Sequence, residues 1–170
     1  MTASTSKVLI LCTGNSARSI IAEYLLNHKG RGRFAAFSAG AKPAGTVNPL
    51  ALWVLRDRYG IEAGGARSKS WDEFKDVKFD FVITVCDQAR EVCPVWPGRP
   101  VLAHWSSPDP AALEGTEKEK QWLFVQVASQ IARRIELLCA LPDSQLREFP
   151  LDQIGRQATL EPAARPAAGP

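Results

Sequence analysis

Four short apolar runs punctuate the chain, and between them the apolar positions spread out to helical spacing. Lys7-Val-Leu-Ile-Leu11, Phe34-Ala-Ala-Phe-Ser38, Phe79-Asp-Phe-Val-Ile-Thr-Val85 and Val101-Leu-Ala-His-Trp105 read as strands. The third is almost continuously apolar, as a strand covered on both faces of a parallel sheet must be. Helices are expected from about Arg18 to Asn27, from Leu50 to Tyr59, and after Thr116. Asn48-Pro49 supplies a cap and a first-turn proline for the second helix, and Gly60 ends it. Thr116-Glu-Lys-Glu119 is a capping box for the last helix, whose inner stripe is Phe124, Ala128, Ile131, Ile135 and Leu138. Strands alternating with helices predict an α/β fold with a parallel sheet and right-handed crossovers.

At 170 residues, 45% of them hydrophobic, the chain has enough apolar surface for one domain with a full core. We expect that domain over residues 1–141. From Pro142 the periodicity fades, and residues 142–170 hold 5 of the 12 prolines, so a C-terminal tail is expected there, docked or disordered. A net charge of +3 without basic runs points to neither nucleic acid nor a membrane surface. Met1 to Lys7 is polar and no apolar stretch reaches spanning length, so the expected location is the cytoplasm, with a small ligand. In a reducing compartment the 4 cysteines are read as catalytic or metal-binding before they are read as a disulfide scaffold.

Chemistry concentrates where the first strand turns into the first helix. Cys12-Thr-Gly-Asn-Ser-Ala-Arg18-Ser19 occupies that junction. A turn there collects backbone N–H groups that the helix cannot pair, and the helix dipole adds partial positive charge, so Thr13, Gly14, Asn15, Ser16, Ala17, Arg18 and Ser19 form an expected oxyanion cradle. Those donors favour the thiolate of Cys12, a nucleophile at neutral pH. Gly14 is expected to permit the turn, Asn15 tolerates left-handed dihedrals, and Ser16 and Ser19 offer hydroxyls. Arg18 can fork two donors onto a tetrahedral oxyanion. The spacing alone is weak, because Cys93-Pro-Val-Trp-Pro-Gly-Arg99 repeats it. That second copy has two prolines, which remove donors, and neither a strand before it nor a helix after it.

Cys86 and Asp109 also follow strand ends, and sites in open parallel sheets form beyond the carboxyl ends of strands. With a strand order of 2-1-3-4, Cys86 comes close to the Cys12 loop and suggests redox chemistry. Cys93 lies on an expected loop from Asp87 to Pro100, which leaves a thiol relay from Cys12 to Cys86 to Cys93 sterically open. Zinc is the competitor, but His28 and His104 are the only histidines, too few at the wrong spacing, and no metal is expected. Cys139 and the five tryptophans read as packing.

Together, Cys12-Thr-Gly-Asn-Ser-x-Arg18-Ser19, Asp109-Pro110 and the intervening strands resemble the low-molecular-weight protein-tyrosine-phosphatase fold family. The Cys86 and Cys93 pair and His104-Trp105 are similar to its thioredoxin-coupled arsenate reductase branch. The resemblance covers roughly Lys7 to Leu141. It implies a four-stranded 2-1-3-4 sheet flanked by helices, Cys12 as nucleophile, Arg18 as oxyanion binder and Asp109 as the acid. It further implies reduction of arsenate to arsenite, an arsenic detoxification, through Cys12, Cys86 and Cys93. No cofactor would be bound; an external dithiol, thioredoxin or glutaredoxin with glutathione, would close the cycle. Ala17 stands where phosphatases of the fold usually carry a second cysteine, and Ala111-Ala112 stands where they carry aromatics, which weakens the alternative of a protein-tyrosine or small-ester phosphatase. An oxyanion sensor, the non-enzymatic alternative, would have no use for Cys86, Cys93 or Asp109. Lys69 stands where some relatives place an acidic residue that helps hold potassium. We therefore expect no potassium site, and the Lys69 ammonium near Glu23 instead.

Overall fold

The structure is a computed structural model that describes residues 4–157 and Pro166. Its sheet has the order β2-β1-β3-β4, with β1 at Ser6–Cys12, β2 at Phe34–Gly40, β3 at Phe81–Thr84 and β4 at Val101–His104. All three pairings are parallel. Cys12 is level with Gly40, Leu11 with Thr84, and Thr84 with His104, so the carboxyl ends of the four strands form one rim. The order reverses between β1 and β3, which opens the crevice where ligands of such sheets bind.

Alternation along β1 explains the two layers. Val8, Ile10 and Cys12 point into the larger core with α1 (Arg18–Lys29), α2 (Pro49–Tyr59) and α4 (Glu117–Ala140). Leu9 and Leu11 point the other way, into a smaller core with Phe79, Val82 and Trp96. There, Phe79 meets Trp96 edge-on with ring centroids 6.0 Å apart. The local signals explain the helix ends. Asn48 accepts from the Leu50 amide at 2.9 Å, Gly60 takes a left-handed φ of 64°, and Thr116 with Glu119 forms the reciprocal capping box of α4.

Two short helices depart from the expected loop and tail. Asp87–Glu91 forms α3, directly after Cys86, where a proline-bearing loop is expected from Asp87. Its five residues carry one buried apolar position, Ala89, which is too little to register as a period. Beyond residue 142, Leu146, Leu151 and Ile154 are buried against the larger core, and Asp152–Gln157 forms α5. The remainder of the expected tail, residues 158–165 and 167–170, lies outside the described residues. Among the described residues no helix is long and apolar enough to cross a membrane.

Candidate active site

The loop after β1 is wrapped by the segment that follows β2. The carbonyls of Cys12, Thr13, Gly14 and Ser16 accept from the amides of Ala41, Lys42, Ala44 and Asn48 at 2.9–3.2 Å. In a planar trans peptide the next N–H points opposite to the carbonyl. Carbonyls turned outward therefore turn the N–H groups of Thr13, Gly14, Asn15 and Ala17 inward, an arrangement that suits an anion. The Asn15 amide already donates to Cys12 Sγ at 3.2 Å. Gly40 permits this wrapping, since a Cβ there would lie 2.5 Å from the Thr13 carbonyl oxygen.

The left-handed residue of the turn is Asn15, at φ 46°, and not Gly14, where a Cβ would meet nothing closer than 3.6 Å. The fully buried side chain of Asn15 also orders the surroundings of Cys12 Sγ. The Lys69 amide donates to Asn15 Oδ1 at 2.9 Å, which fixes the orientation of the side-chain amide. Asn15 Nδ2 then donates to Ser19 Oγ at 2.9 Å and to Ser38 Oγ at 3.0 Å. With the Asn15 amide donating into it, Ser19 can turn its one proton toward Cys12 Sγ, 3.0 Å away. The sulfur thus lies between a hydroxyl and an amide, both suited to a thiolate.

Behind this chain lies a buried ion pair. Ser38 donates to Glu23 Oε2 at 2.7 Å, and Lys69 Nζ lies 3.3 Å from Ser38 Oγ and 3.9 Å from Glu23 Oε2. The ammonium sits beside Glu23, as the sequence led us to expect. Burial pushes the Glu23 carboxyl up, with Lys69 and the Ser38 hydroxyl opposing it; burial likewise pushes the Lys69 ammonium down.

Cys12, Arg18, Cys86 and Asp109 line one open cleft of about 440 Å³. Arg18 Nη1 donates to the Ser107 carbonyl at 2.9 Å and Nη2 lies 3.8 Å from Asp109 Oδ2. Asp109 also accepts from the Ala111 amide at 3.0 Å and is about half exposed, so its carboxyl is reachable by solvent and substrate. Cys86 Sγ is buried 3.3 Å from Thr13 Oγ1, whose hydroxyl also reaches Gln88 Oε1 at 3.4 Å. A second thiol therefore stands on the wall of the cleft that Cys12 lines.

Cys93 is not in that cleft. It packs against the smaller core on the opposite face of the sheet, with Trp96 and Val82, whereas Cys86 belongs to the larger core. Burial pushes the Cys93 thiol up, opposed by the nearby Trp96 indole. Cys139 lies half-buried on α4, away from the cleft, in the packing role expected of it.

Three contributors went unread in the sequence. Ser68 Oγ donates to the Gly14 carbonyl at 3.0 Å, and the Ser107 carbonyl anchors Arg18. Arg134, 2% exposed, donates to the carbonyls of Trp105 and Ser106 and to Ser107 Oγ at 2.8–3.1 Å, and to the Gly155 carbonyl at 2.8 Å. Burial lowers its guanidinium to about 10. The legible signal was an arginine between Ile131 and Leu138, inside an apolar stripe. The serines carry no such signal, because their partners, the Gly14 carbonyl for Ser68 and the Arg18 guanidinium for Ser107, are distant in sequence.

Residues 7–148 match the family described as low molecular weight phosphotyrosine protein phosphatase. The arsenate reductase of Halalkalibacterium halodurans is 36% identical over 129 residues, which is 76% of this chain and 91% of that protein. Among solved structures, an arsenate reductase in the phosphate-binding state superposes with a TM-score of 0.67 at 28% identity, over 80% of this chain and 98% of the other. A thioredoxin-dependent arsenate reductase from Corynebacterium glutamicum superposes with a TM-score of 0.54 at 30% identity, over 81% of this chain and 65% of that one. With the Cys12–Arg18 loop and the 2-1-3-4 sheet in place, the chain belongs to the low molecular weight phosphotyrosine protein phosphatase family.

Proposed function

We propose that the protein reduces arsenate to arsenite, with Cys12, Cys86 and Cys93 as a thiol relay. The observation that carries the reading is the second thiol, Cys86, on the wall of the cleft that holds Cys12 and Arg18. A phosphatase needs one sulfur; a two-electron reduction needs a second to take the first one over. The names of the relatives, arsenate reductases, support the same chemistry.

The cradle amides and Arg18 bind the tetrahedral oxyanion and stabilise charge during attack. Cys12 Sγ attacks arsenic, and Asp109 donates a proton to the departing oxygen, which leaves as water. Cys86 Sγ then attacks Cys12 Sγ. The S–As bond breaks with its electron pair passing to arsenic, which leaves as arsenite, and a Cys12–Cys86 disulfide remains. Cys93 Sγ attacks Cys86 Sγ and frees the Cys12 thiolate. An external dithiol reduces the Cys86–Cys93 disulfide by two successive exchanges. Thioredoxin is the reductant we assign, because an internal disulfide suits a protein dithiol and a structurally similar enzyme is thioredoxin-dependent. The four cysteines are thiols, and the reducing cytoplasm suits such a cycle.

Cys86 and Cys93 pack on opposite faces of the sheet, and a disulfide needs their Cα atoms within about 7 Å. Helix α3 lies between them, so it must unwind for the third step. Ala17 puts no second cysteine in the loop, and Ala111-Ala112 after Asp109-Pro110 puts no aromatic there for a phosphotyrosine ring, so ester hydrolysis is a slow side reaction of the same cradle.

Cys86→Ala separates the two chemistries. The variant should lose arsenate turnover with thioredoxin and thioredoxin reductase while keeping para-nitrophenyl phosphate hydrolysis within about twofold. Undiminished arsenate turnover by the variant would refute the relay.

A further inference from the structure

A five-residue helix is too short to hold itself together in water, so α3 depends on tethers. One comes from a group outside the relay. His104, the last residue of β4, reaches across to Asp87, the first residue of α3, with Nε2 2.8 Å from Asp87 Oδ1. A carboxylate can only accept, so Nε2 carries the proton; in the neutral ring Nδ1 then accepts from the Thr84 hydroxyl, 2.7 Å away at the end of β3. The His104 backbone is itself held, its amide donating to Asp152 Oδ1 of α5 at 2.7 Å. The ring is mostly buried while the Asp87 carboxylate is largely exposed, so the anchored partner is the imidazole. The bond to His104 also holds the Asp87 carboxyl below the usual carboxylate range.

The geometry points to His104 as a positioning residue of the relay: it clamps Asp87 and so holds α3 in the helical form that keeps Cys86 turned toward Cys12. This inference rests on the proposed relay, because only the Cys86–Cys93 disulfide requires α3 to unwind. The clamp exists in the dithiol form and is lost on unwinding. It therefore stabilises the dithiol and makes the couple more oxidising, the direction in which a stabilised reduced form acts.

The test uses the full chain carrying Cys12→Ser, equilibrated in glutathione redox buffers, with the Cys86–Cys93 disulfide quantified by thiol alkylation and mass spectrometry. Each disulfide forms as glutathione disulfide takes two electrons and becomes two glutathione thiols. His104→Asn keeps an amide near Nδ1 but cannot reach Asp87. It should shift the equilibrium about fivefold toward the disulfide, ~20 mV more negative. His104→Gln, whose amide nitrogen mimics Nε2, should stay within about twofold of the parent. Asp87→Ala, at an exposed position, also removes a bond to Ser106 and should shift the equilibrium the same way by at least as much, and adding His104→Asn to it should change nothing further. With Cys12 intact, His104→Asn should hydrolyse para-nitrophenyl phosphate at the parent rate; a parallel fall would assign the shift to lost structure and overturn the clamp. An unshifted equilibrium in His104→Asn, or additive effects in the double variant, would also overturn it. A parent that forms no Cys86–Cys93 disulfide at any poise would overturn the relay first, and the clamp with it.

Discussion

Asn15 carries three tasks in one buried side chain: it closes the turn at a φ of 46°, it points its amide at Ser19, and it ties the loop to Lys69. The last donor in that chain is the Ser19 hydroxyl on Cys12 Sγ. A hydrogen bond to a charged group contributes about 1.5–3 kcal/mol. Ser19→Ala should therefore lower kcat/KM for para-nitrophenyl phosphate by ten- to a hundredfold, measured by steady-state hydrolysis, with little change in phosphate inhibition. Behind it, Lys69→Met would leave Glu23 largely buried with the Ser38 hydroxyl as its hydrogen-bond partner and only the field of Arg67 for a positive charge. We expect a loss of roughly 3 kcal/mol at neutral pH by urea denaturation. The sign follows from the carboxyl, whose folded-state value is already raised above the ordinary 4.5 and would rise further. For such a group, stability is fully present below the unfolded value and lost as pH rises through the folded one. The penalty of the variant should therefore shrink toward pH 4.5 and be largest at neutral pH. A penalty independent of pH would contradict the pairing. At this scale, Cys12, Arg18 and Ser19 were legible because they fall at a strand-to-helix junction. The left-handed tolerance of Asn15 was legible too, but its bond to the Lys69 amide was not, because that backbone meets the loop only in the folded chain.

Elements meet most tightly where the end of β2 passes under the loop after β1. The Gly40 position would put a Cβ 2.5 Å from the Thr13 carbonyl oxygen and 3.1 Å from the Asn15 amide nitrogen. Neither is the end of a flexible side chain, so Gly40→Ala must displace the cradle. Overpacking of this kind costs about 1–3 kcal/mol. The variant should melt several degrees lower and bind phosphate more weakly as a competitive inhibitor; parent-like melting and inhibition would contradict the close approach. Strands β1 to β4 could be read because each is an uninterrupted apolar run. Helix α3 could not, since Asp87-Gln-Ala-Arg-Glu91 buries one residue and owes its shape to tethers from His104 and Thr13. Helix α5 escaped for a similar reason: Leu151 and Ile154 are two buried positions in a proline-bearing stretch, too few for a period.

The whole molecule places its chemistry on one rim and its reserve thiol behind the sheet. Cys12 ends β1, and Cys86 and Asp109 follow β3 and β4, whose ends the parallel register aligns. That much follows from the order of the strands. The position of Cys93 does not, because seven residues can fold to either face, and the Phe79–Trp96 cluster draws them to the far side. In the proposed cycle this division sets the order: attack and reduction at the rim, then unwinding of α3 to carry the disulfide to Cys93. The central claim, that the protein is a reductase whose cradle feeds an internal disulfide, is tested most directly by arsenate-dependent NADPH oxidation with purified protein, thioredoxin and thioredoxin reductase, run beside para-nitrophenyl phosphate hydrolysis. Robust oxidation with feeble hydrolysis is the predicted result. Strong hydrolysis with no oxidation, also when glutaredoxin and glutathione replace thioredoxin, would contradict it and make Cys86 and Cys93 bystanders in a phosphatase.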